Sequence, residues 1–308
     1  MINRLIIYHP ILFIIISSFA VLISFLLNLT ISPFISNAVC FFLIITLGAS
    51  HGAFDKFKGD KILNYFKINN PIIFYICYLS IVFSVILLWL YTPNILTATF
   101  LFLSIYHFGA EDLEYYFEEK PSMIENILRG AIIILTPLVL KTNLTLHLFS
   151  LINFNFPEGT NLFIVNNNIL LNSILLMSIF YFILKIKNNS KKLLFIVESF
   201  AIISLYLLFS PFIAFTFYFC FLHSPRHYHN SISILQRKLD FDKISQINKN
   251  ILFLTIATIF MFLAFFSFII TQYPFNQTIY ITSIVGLASL TFPHIIVETI
   301  NNKIEFSK

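Results

Sequence analysis

The sequence predicts an all-α fold, a polytopic transmembrane helical bundle. Of its 308 residues, 58% are hydrophobic and 11% are charged, and the mean hydropathy is +0.87. Soluble globular domains do not have this composition. Apolar runs of about 18 residues or more, the length that a helix needs to cross a bilayer, recur along the chain. We therefore expect residues 1–308 to form a single integral domain in a lipid bilayer.

Hydropathy divides the chain into about ten candidate spans, or eight to ten when short runs are merged. The first apolar run follows Arg4 and has no small-residue cleavage site behind it, so we expect a retained helix rather than a signal peptide. The spans are predicted at residues 5–29, 34–54, 71–92, 94–116, 124–140, 163–186, 192–209, 211–236, 251–272 and 278–300.

The basic residues support this number of spans, because they fall almost entirely on one side of the predicted membrane. The opposite side receives only Lys141. The positive-inside rule then predicts that both termini are cytoplasmic. This topology also accounts for the net charge of +5, so no nucleic-acid partner is expected. The basic side receives Arg4, Lys56, Lys58, Lys61, Lys67, Lys120, Arg129, Lys185, Lys187, Lys191, Lys192, Arg237, Lys238, Lys243, Lys249, Lys303 and Lys308.

Two histidines, His223 and His227, lie four residues apart in an apolar run, with Pro225 between them. Residues at this spacing share one face of a helix, so both imidazoles can bind one ion. Proline lacks an N–H and crowds the carbonyl four residues earlier, and we therefore expect the helix to bend here. Ionisable groups at membrane depth usually serve function rather than packing.

Three more histidines, His51, His107 and His294, fall at a matching depth in three other predicted spans. A lone histidine in an apolar helix is more often a core residue than a ligand. Five histidines at one depth on four helices favour a shared metal site instead. The three remaining histidines, which are not expected to take part, are His9, His147 and His229.

Three carboxylates each follow a histidine by four residues and so share its helix face. A ligating imidazole usually donates its other N–H to a carboxylate, a carbonyl or water. It is equally consistent with the sequence that these acids are the first polar residues as each helix leaves the membrane. The pairs are His51 with Asp55, His107 with Glu111, and His294 with Glu298.

Arg226 has two alternatives, because it can extend to the cytoplasmic surface or pair with one of these three carboxylates. The sequence favours pairing. The other acidic residues close to Glu111, among them Asp112 and Glu114, are expected to form a solvated helix end.

An all-imidazole site suits Fe, Cu, Zn or Ni, so the residues alone leave the metal open. The His-Glu-x-x-His motif of zinc proteases is missing between His223 and His227. A diiron desaturase needs more histidines, and a bis-imidazole haem protein needs no pair around a proline. The three cysteines have no paired spacing, so neither a disulfide framework nor a zinc motif is indicated.

Four short motifs hold the five histidines: Gly48-Ala49-Ser50-His51-Gly52-Ala53-Phe54-Asp55, Tyr106-His107-Phe108-Gly109, His223-Ser224-Pro225-Arg226-His227 and Pro293-His294. In their order and intervals, from about residue 45 to 298, they resemble the motif set of the Brp/Blh family, the bacterial β-carotene 15,15'-dioxygenases.

The resemblance implies a multi-pass enzyme of the bacterial cytoplasmic membrane. Such an enzyme uses non-haem Fe(II) and O2 to cleave β-carotene at its central double bond into two all-trans-retinal molecules, with a retinal-binding rhodopsin as recipient. The implied iron ligands are His51, His107, His223 and His227. From the residues themselves we add further ligands or supporting groups, which are His294, Asp55, Glu111, Glu298 and Arg226.

A metal-ion or proton transporter with a relay of histidines and carboxylates is the alternative. A transporter needs polar residues across the full membrane depth. The outer halves of the predicted spans, such as residues 279–290, are almost apolar, which favours a closed site.

The lysine asymmetry predicts that both termini and the loops at 55–70, 187–191 and 237–250 are cytoplasmic. Reporter fusions at these positions measure the topology. A fusion at 237–250 that reports an external location would contradict both the topology and the shared depth of the histidines.

Overall fold

The computed structural model describes residues 2–27, 32–117, 119–153, 168–236 and 241–306, and regular structure within these ranges is entirely helical. The α-helices are α1 (Ile2–Leu27), α2 (Pro33–Leu43), α3 (Asp55–Tyr65), α4 (Ile72–Tyr91), α5 (Pro93–Tyr116), α6 (Met123–Leu140), α7 (Thr142–Leu151), α8 (Asn168–Lys185), α9 (Asn189–Leu208), α10 (Pro211–Tyr218), α11 (Ser224–Gln236), α12 (Phe241–Ile269) and α13 (Phe275–Phe306). The all-α prediction is confirmed for the described part of the chain.

Five helical stretches of the described chain are long and apolar enough to cross a membrane. Two shorter apolar helices, Pro10–Leu26 and Leu171–Lys185, fall within further predicted spans. The count of eight to ten spans and the orientation of the termini stay predictions. The five stretches are Pro33–Tyr65, Ile72–Tyr91, Met123–Leu140, Lys249–Ile269 and Phe275–Ile304.

Helices α5 and α6 pack with their backbones in direct contact, because a glycine lies on each side of the crossing. A Cβ added at Gly109 would lie 1.7 Å from the carbonyl oxygen of Asn126, and one added at Gly130 would lie 1.7 Å from the carbonyl oxygen of Ile105. Only residues without a side chain permit this approach. It brings α6 close to the part of α5 that carries His107.

Two segments of π-helical geometry, Ile44–Gly48 and Phe219–His223, interrupt the α-helices beside the histidine motifs. The second ends two residues before Pro225, where the sequence predicts a bend. Proline cannot donate to the carbonyl of Phe221, and at the end of the π-helical segment the Ser224 N–H donates to the carbonyl of Phe219. A 3-10 turn, Ala49–Phe54, follows the first segment and carries the backbone of His51.

The two π-helical segments pack against each other. The Ser224 hydroxyl donates to the Gly48 carbonyl over 3.0 Å, and a Cβ at Gly48 would lie 2.5 Å from the ring of Phe219. A buried apolar cluster that includes Phe41, Tyr206 and Leu222 supports them from α2, α9 and the second segment. The histidine motifs are therefore joined by packing as well as by sequence.

We predict that Gly109→Ala and Gly130→Ala each destabilise the protein by about 1–3 kcal/mol or more, because the added methyl overlaps backbone that cannot give way. Thermal unfolding in detergent measures the effect. Gly52→Ala is the control, since a Cβ there meets no heavy atom within 4 Å. Unchanged melting temperatures for both α5–α6 variants would contradict the close crossing.

Candidate metal centre

Four of the five histidines predicted to share a depth are brought together in the interior. His107 comes from α5, His223 from the second π-helical segment, His227 from α11 and His294 from α13, and all four are buried. Ring centroids lie 5.2 Å apart for His107 and His223, 4.9 Å for His107 and His294, and 5.2 Å for His227 and His294. The four imidazoles thus form a continuous chain of neighbouring rings.

The other histidines lie elsewhere or outside the description. The side chains of His51 and His9 lie outside the described residues, although the backbone of His51 precedes Asp55 in the 3-10 turn. His147 on α7 is exposed, and His229 on α11 is half-buried. The chain of four rings contains neither of these two.

Asp55 contacts His294, which lies on another helix, whereas the side chain of His51, its predicted partner, lies outside the described residues. Its Oδ1 lies 2.7 Å from Nδ1 of His294, and its Oδ2 accepts a hydrogen bond of 2.9 Å from the Tyr78 hydroxyl. Asp55 is buried. A carboxylate at Nδ1 holds the proton on that nitrogen and leaves the lone pair of the imidazole on Nε2.

Glu111 and Glu298 also contact groups on other helices. Glu111 Oε1 lies 3.1 Å from Nδ1 of His227, whereas Glu298 forms an ion pair with Lys58 and lies 4.0 Å from Nε2 of His227. These acids therefore contact groups on neighbouring helices, and the predicted pairing within each helix stays a prediction. Side chains four residues apart lie side by side on one face and both extend towards the neighbouring helix.

The donor set of this cluster fits a transition metal. His227, His294 and Glu298 each offer one ligand atom, and these three atoms lie within 4.8 Å of one another. Imidazole suits iron, copper, zinc or nickel, and an additional carboxylate is the ligand that non-haem Fe(II) sites commonly add. The residues present are therefore compatible with the iron that the resemblance implies.

The cluster is bordered by aromatic rings and by an internal cavity with a mixed aromatic and charged lining. The rings of Phe108 and Phe219 pack on His223 with centroids 4.7 Å and 5.7 Å away. His107 and His227 also line a cavity of about 790 Å³. The charged residues in its lining are Lys58, Lys61, Glu111, Glu114, Glu119, Lys120, Glu298 and Lys303.

Arg226 forms ion pairs as predicted, but with carboxylates that the sequence analysis did not select. Its Nη1 lies 2.8 Å from Asp112 and its Nη2 lies 2.7 Å from Glu198. Asp112 is therefore not part of a solvated helix end. Asp112 is buried because it faces α6 and α11, the helices that carry the two arginines it contacts.

A second arginine, Arg129 on α6, contacts the same two carboxylates, 2.9 Å from Asp112 and in close contact with Glu198. All four side chains of this charge quartet, Asp112, Arg129, Glu198 and Arg226, are 0% exposed. The sequence predicts Arg129 on the basic side of the membrane and does not predict Glu198 as a site residue. Their signal was available, since each is a charge inside a predicted apolar span.

Two tyrosines complete the surroundings of the quartet. The Tyr116 hydroxyl donates to Glu198 over 2.8 Å, and the Tyr218 hydroxyl donates to Asp112 over 3.3 Å. Each carboxylate therefore contacts two guanidinium groups and one phenol, so the four buried charges sum to zero and are well compensated.

Fold and site together define an all-helical protein with helices long enough to span a membrane and an internal cluster of imidazoles and carboxylates. The family model described as beta-carotene 15,15'-dioxygenase matches residues 42–300, and the chain belongs to that family. The enzyme class predicted from the sequence is thereby confirmed. Comparison with curated proteins and with solved structures found no match.

Proposed function

We propose that this protein cleaves β-carotene with O2 at the central double bond, at a non-haem Fe(II) held by buried imidazoles. The products are two all-trans-retinal molecules, each carrying one oxygen atom of O2. The observation that carries the proposal is the chain of four neighbouring imidazoles within the residues that match the dioxygenase family.

The proposed ligands are His107, His223 and His227, with His51 added by the resemblance. His294 is the fifth candidate, and its contacts favour a ligand role. It lies between His107 and His227 in the ring chain, and Asp55 contacts its Nδ1 as a carboxylate typically does behind a ligating imidazole.

The remaining polar groups orient these ligands. Asp55, itself held by Tyr78, fixes His294, and Glu111 fixes His227. Glu298, paired with Lys58, supplies negative charge near His227 and His294. When bound, Fe(II) supplies the redox chemistry with O2 that oxidative cleavage needs, while the protein residues hold the ligands and exclude water from one side.

The apolar substrate class agrees with the aromatic rings beside the cluster. A C40 polyene partitions into a bilayer, and an enzyme with membrane-spanning helices meets it there without extracting it into water. Phe108 and Phe219 give the cluster a side of aromatic rings, and the cavity that His107 and His227 line contains charged and aromatic residues together. We propose that the polyene is bound on the aromatic side.

The transporter alternative is less favoured. A relay needs a hydrated path through the whole protein, whereas the described cavity reaches His107 and His227 from the side of the charged helix ends. Family membership also favours the enzyme. Location in a bacterial cytoplasmic membrane and delivery of retinal to a rhodopsin belong to the same proposal.

Expression in cells that accumulate β-carotene should give retinal, and His223→Ala and His227→Ala should abolish both retinal formation and iron binding. Removing one imidazole of the cluster opens the site to water and costs a ligand. Chromatography of the extracted carotenoids and metal analysis of the purified protein measure the two effects. His147→Ala, which changes an exposed histidine, is the matched control.

His294→Ala tests the fifth ligand. If the four ligands implied by the resemblance complete the site, this variant retains iron and turns over slowly. The contact between His294 and Asp55 favours the other outcome, loss of iron. A folded His294→Ala protein with full iron content would remove His294 from the ligand set. Wild-type retinal yield in His223→Ala would contradict the proposed centre itself.

A further inference from the structure

The charge quartet is a closed ring in which arginine and carboxylate alternate. Asp112 contacts both arginines at 2.8–2.9 Å, and Glu198 does the same from the other side, with 2.7 Å to Arg226. The four residues come from α5, α6, α9 and α11. One ring of ion pairs, three of them also hydrogen bonds, therefore ties four helices to one another.

Arg226 lies on α11, three residues after His223 and one residue before His227. Asp112 occupies the corresponding place on α5, one residue after Glu111, the partner of His227. The ring and the imidazole cluster thus lie on two faces of the same pair of helices. A rotation or slide of α11 against α5 would break both sets of contacts together.

We propose that Arg226 is a positioning residue, whose two-pronged contact with Asp112 and Glu198 fixes the register of His223 and His227 against His107 and Glu111. This inference rests on the proposed function, because it concerns the imidazoles that would hold iron. The planar guanidinium is needed for the task, since its two terminal nitrogens reach two different carboxylates at once. A lysine would keep the positive charge, but its single nitrogen cannot replace two nitrogens that contact two different carboxylates.

Arg129 provides a control from the same ring. It contacts the same carboxylates and is equally buried, but its helix, α6, carries none of the clustered histidines. A purely structural role for the quartet predicts that Arg129→Lys and Arg226→Lys have the same consequences. A positioning role predicts that the two variants lose a comparable amount of thermal stability, and that only Arg226→Lys changes the imidazole cluster.

The experiment compares wild-type, Arg129→Lys and Arg226→Lys proteins, purified in detergent. It measures the Fe(II) dissociation constant, the absorption spectrum after Co(II) substitution and the melting temperature. Arg226→Lys should weaken Fe(II) binding by about 10- to 100-fold and shift the Co(II) bands, as loss of outer partners of ligands does. Arg129→Lys should lower the melting temperature with a much smaller change in affinity and an unshifted spectrum.

Equal losses of affinity in the two lysine variants, or wild-type affinity and spectrum in Arg226→Lys, would overturn the inference. If Arg226→Lys does not fold, Glu198→Asp takes its place, because it keeps every charge and draws the carboxylate back from Arg226, although also from Arg129 and Tyr116. Wild-type Co(II) bands in that variant would equally overturn the inference. Failure of the wild-type protein to bind Fe(II) is a different outcome, which would overturn the proposed function and this inference with it.

Discussion

Compensation of buried charge is the constraint on which the rest of this structure depends. An arginine or a carboxylate without a partner in an apolar interior is very unfavourable, and removing one partner of a buried pair typically costs about 3–5 kcal/mol. The quartet meets this constraint with two positive and two negative groups, all 0% exposed. Its geometry joins α5, α6, α9 and α11, and two of these helices, α5 and α11, carry clustered histidines.

The imidazole cluster follows the same rule with weaker charges. Asp55 accepts from Tyr78 and lies against His294, and Glu111 lies against His227, so the acids near the rings are held by defined partners. The close glycine crossing of α5 and α6 and the packed π-helical segments bring these groups into contact. The result is a set of nitrogen donors beside the aromatic rings of Phe108 and Phe219, and two of these donors line an internal cavity.

The sequence predicted the helical class, the convergence of His107, His223, His227 and His294, and the pairing of Arg226 with carboxylates, because these depend on composition and helical spacing. Which carboxylate meets which partner was not predictable from spacing within one helix, since Asp55, Glu111 and Arg226 all find theirs on neighbouring helices.

Other features depended on properties that hydropathy does not encode. Arg129 lies near the start of the predicted span 124–140, so hydropathy places it at the membrane surface and does not indicate its contacts with Asp112 and Glu198. The backbone contact at Gly109 and the π-helical turn before Pro225 depend on three-dimensional packing and on how a missing N–H is accommodated.

The central claim is that buried imidazoles hold the iron of a carotenoid-cleaving enzyme. Iron K-edge X-ray absorption of the purified, Fe(II)-loaded protein tests this most directly, because imidazole rings scatter in a characteristic pattern beyond the nearest shell. The account predicts a first shell dominated by nitrogen, with the outer-shell features of several imidazoles. A first shell of oxygen or sulfur without imidazole features would contradict it.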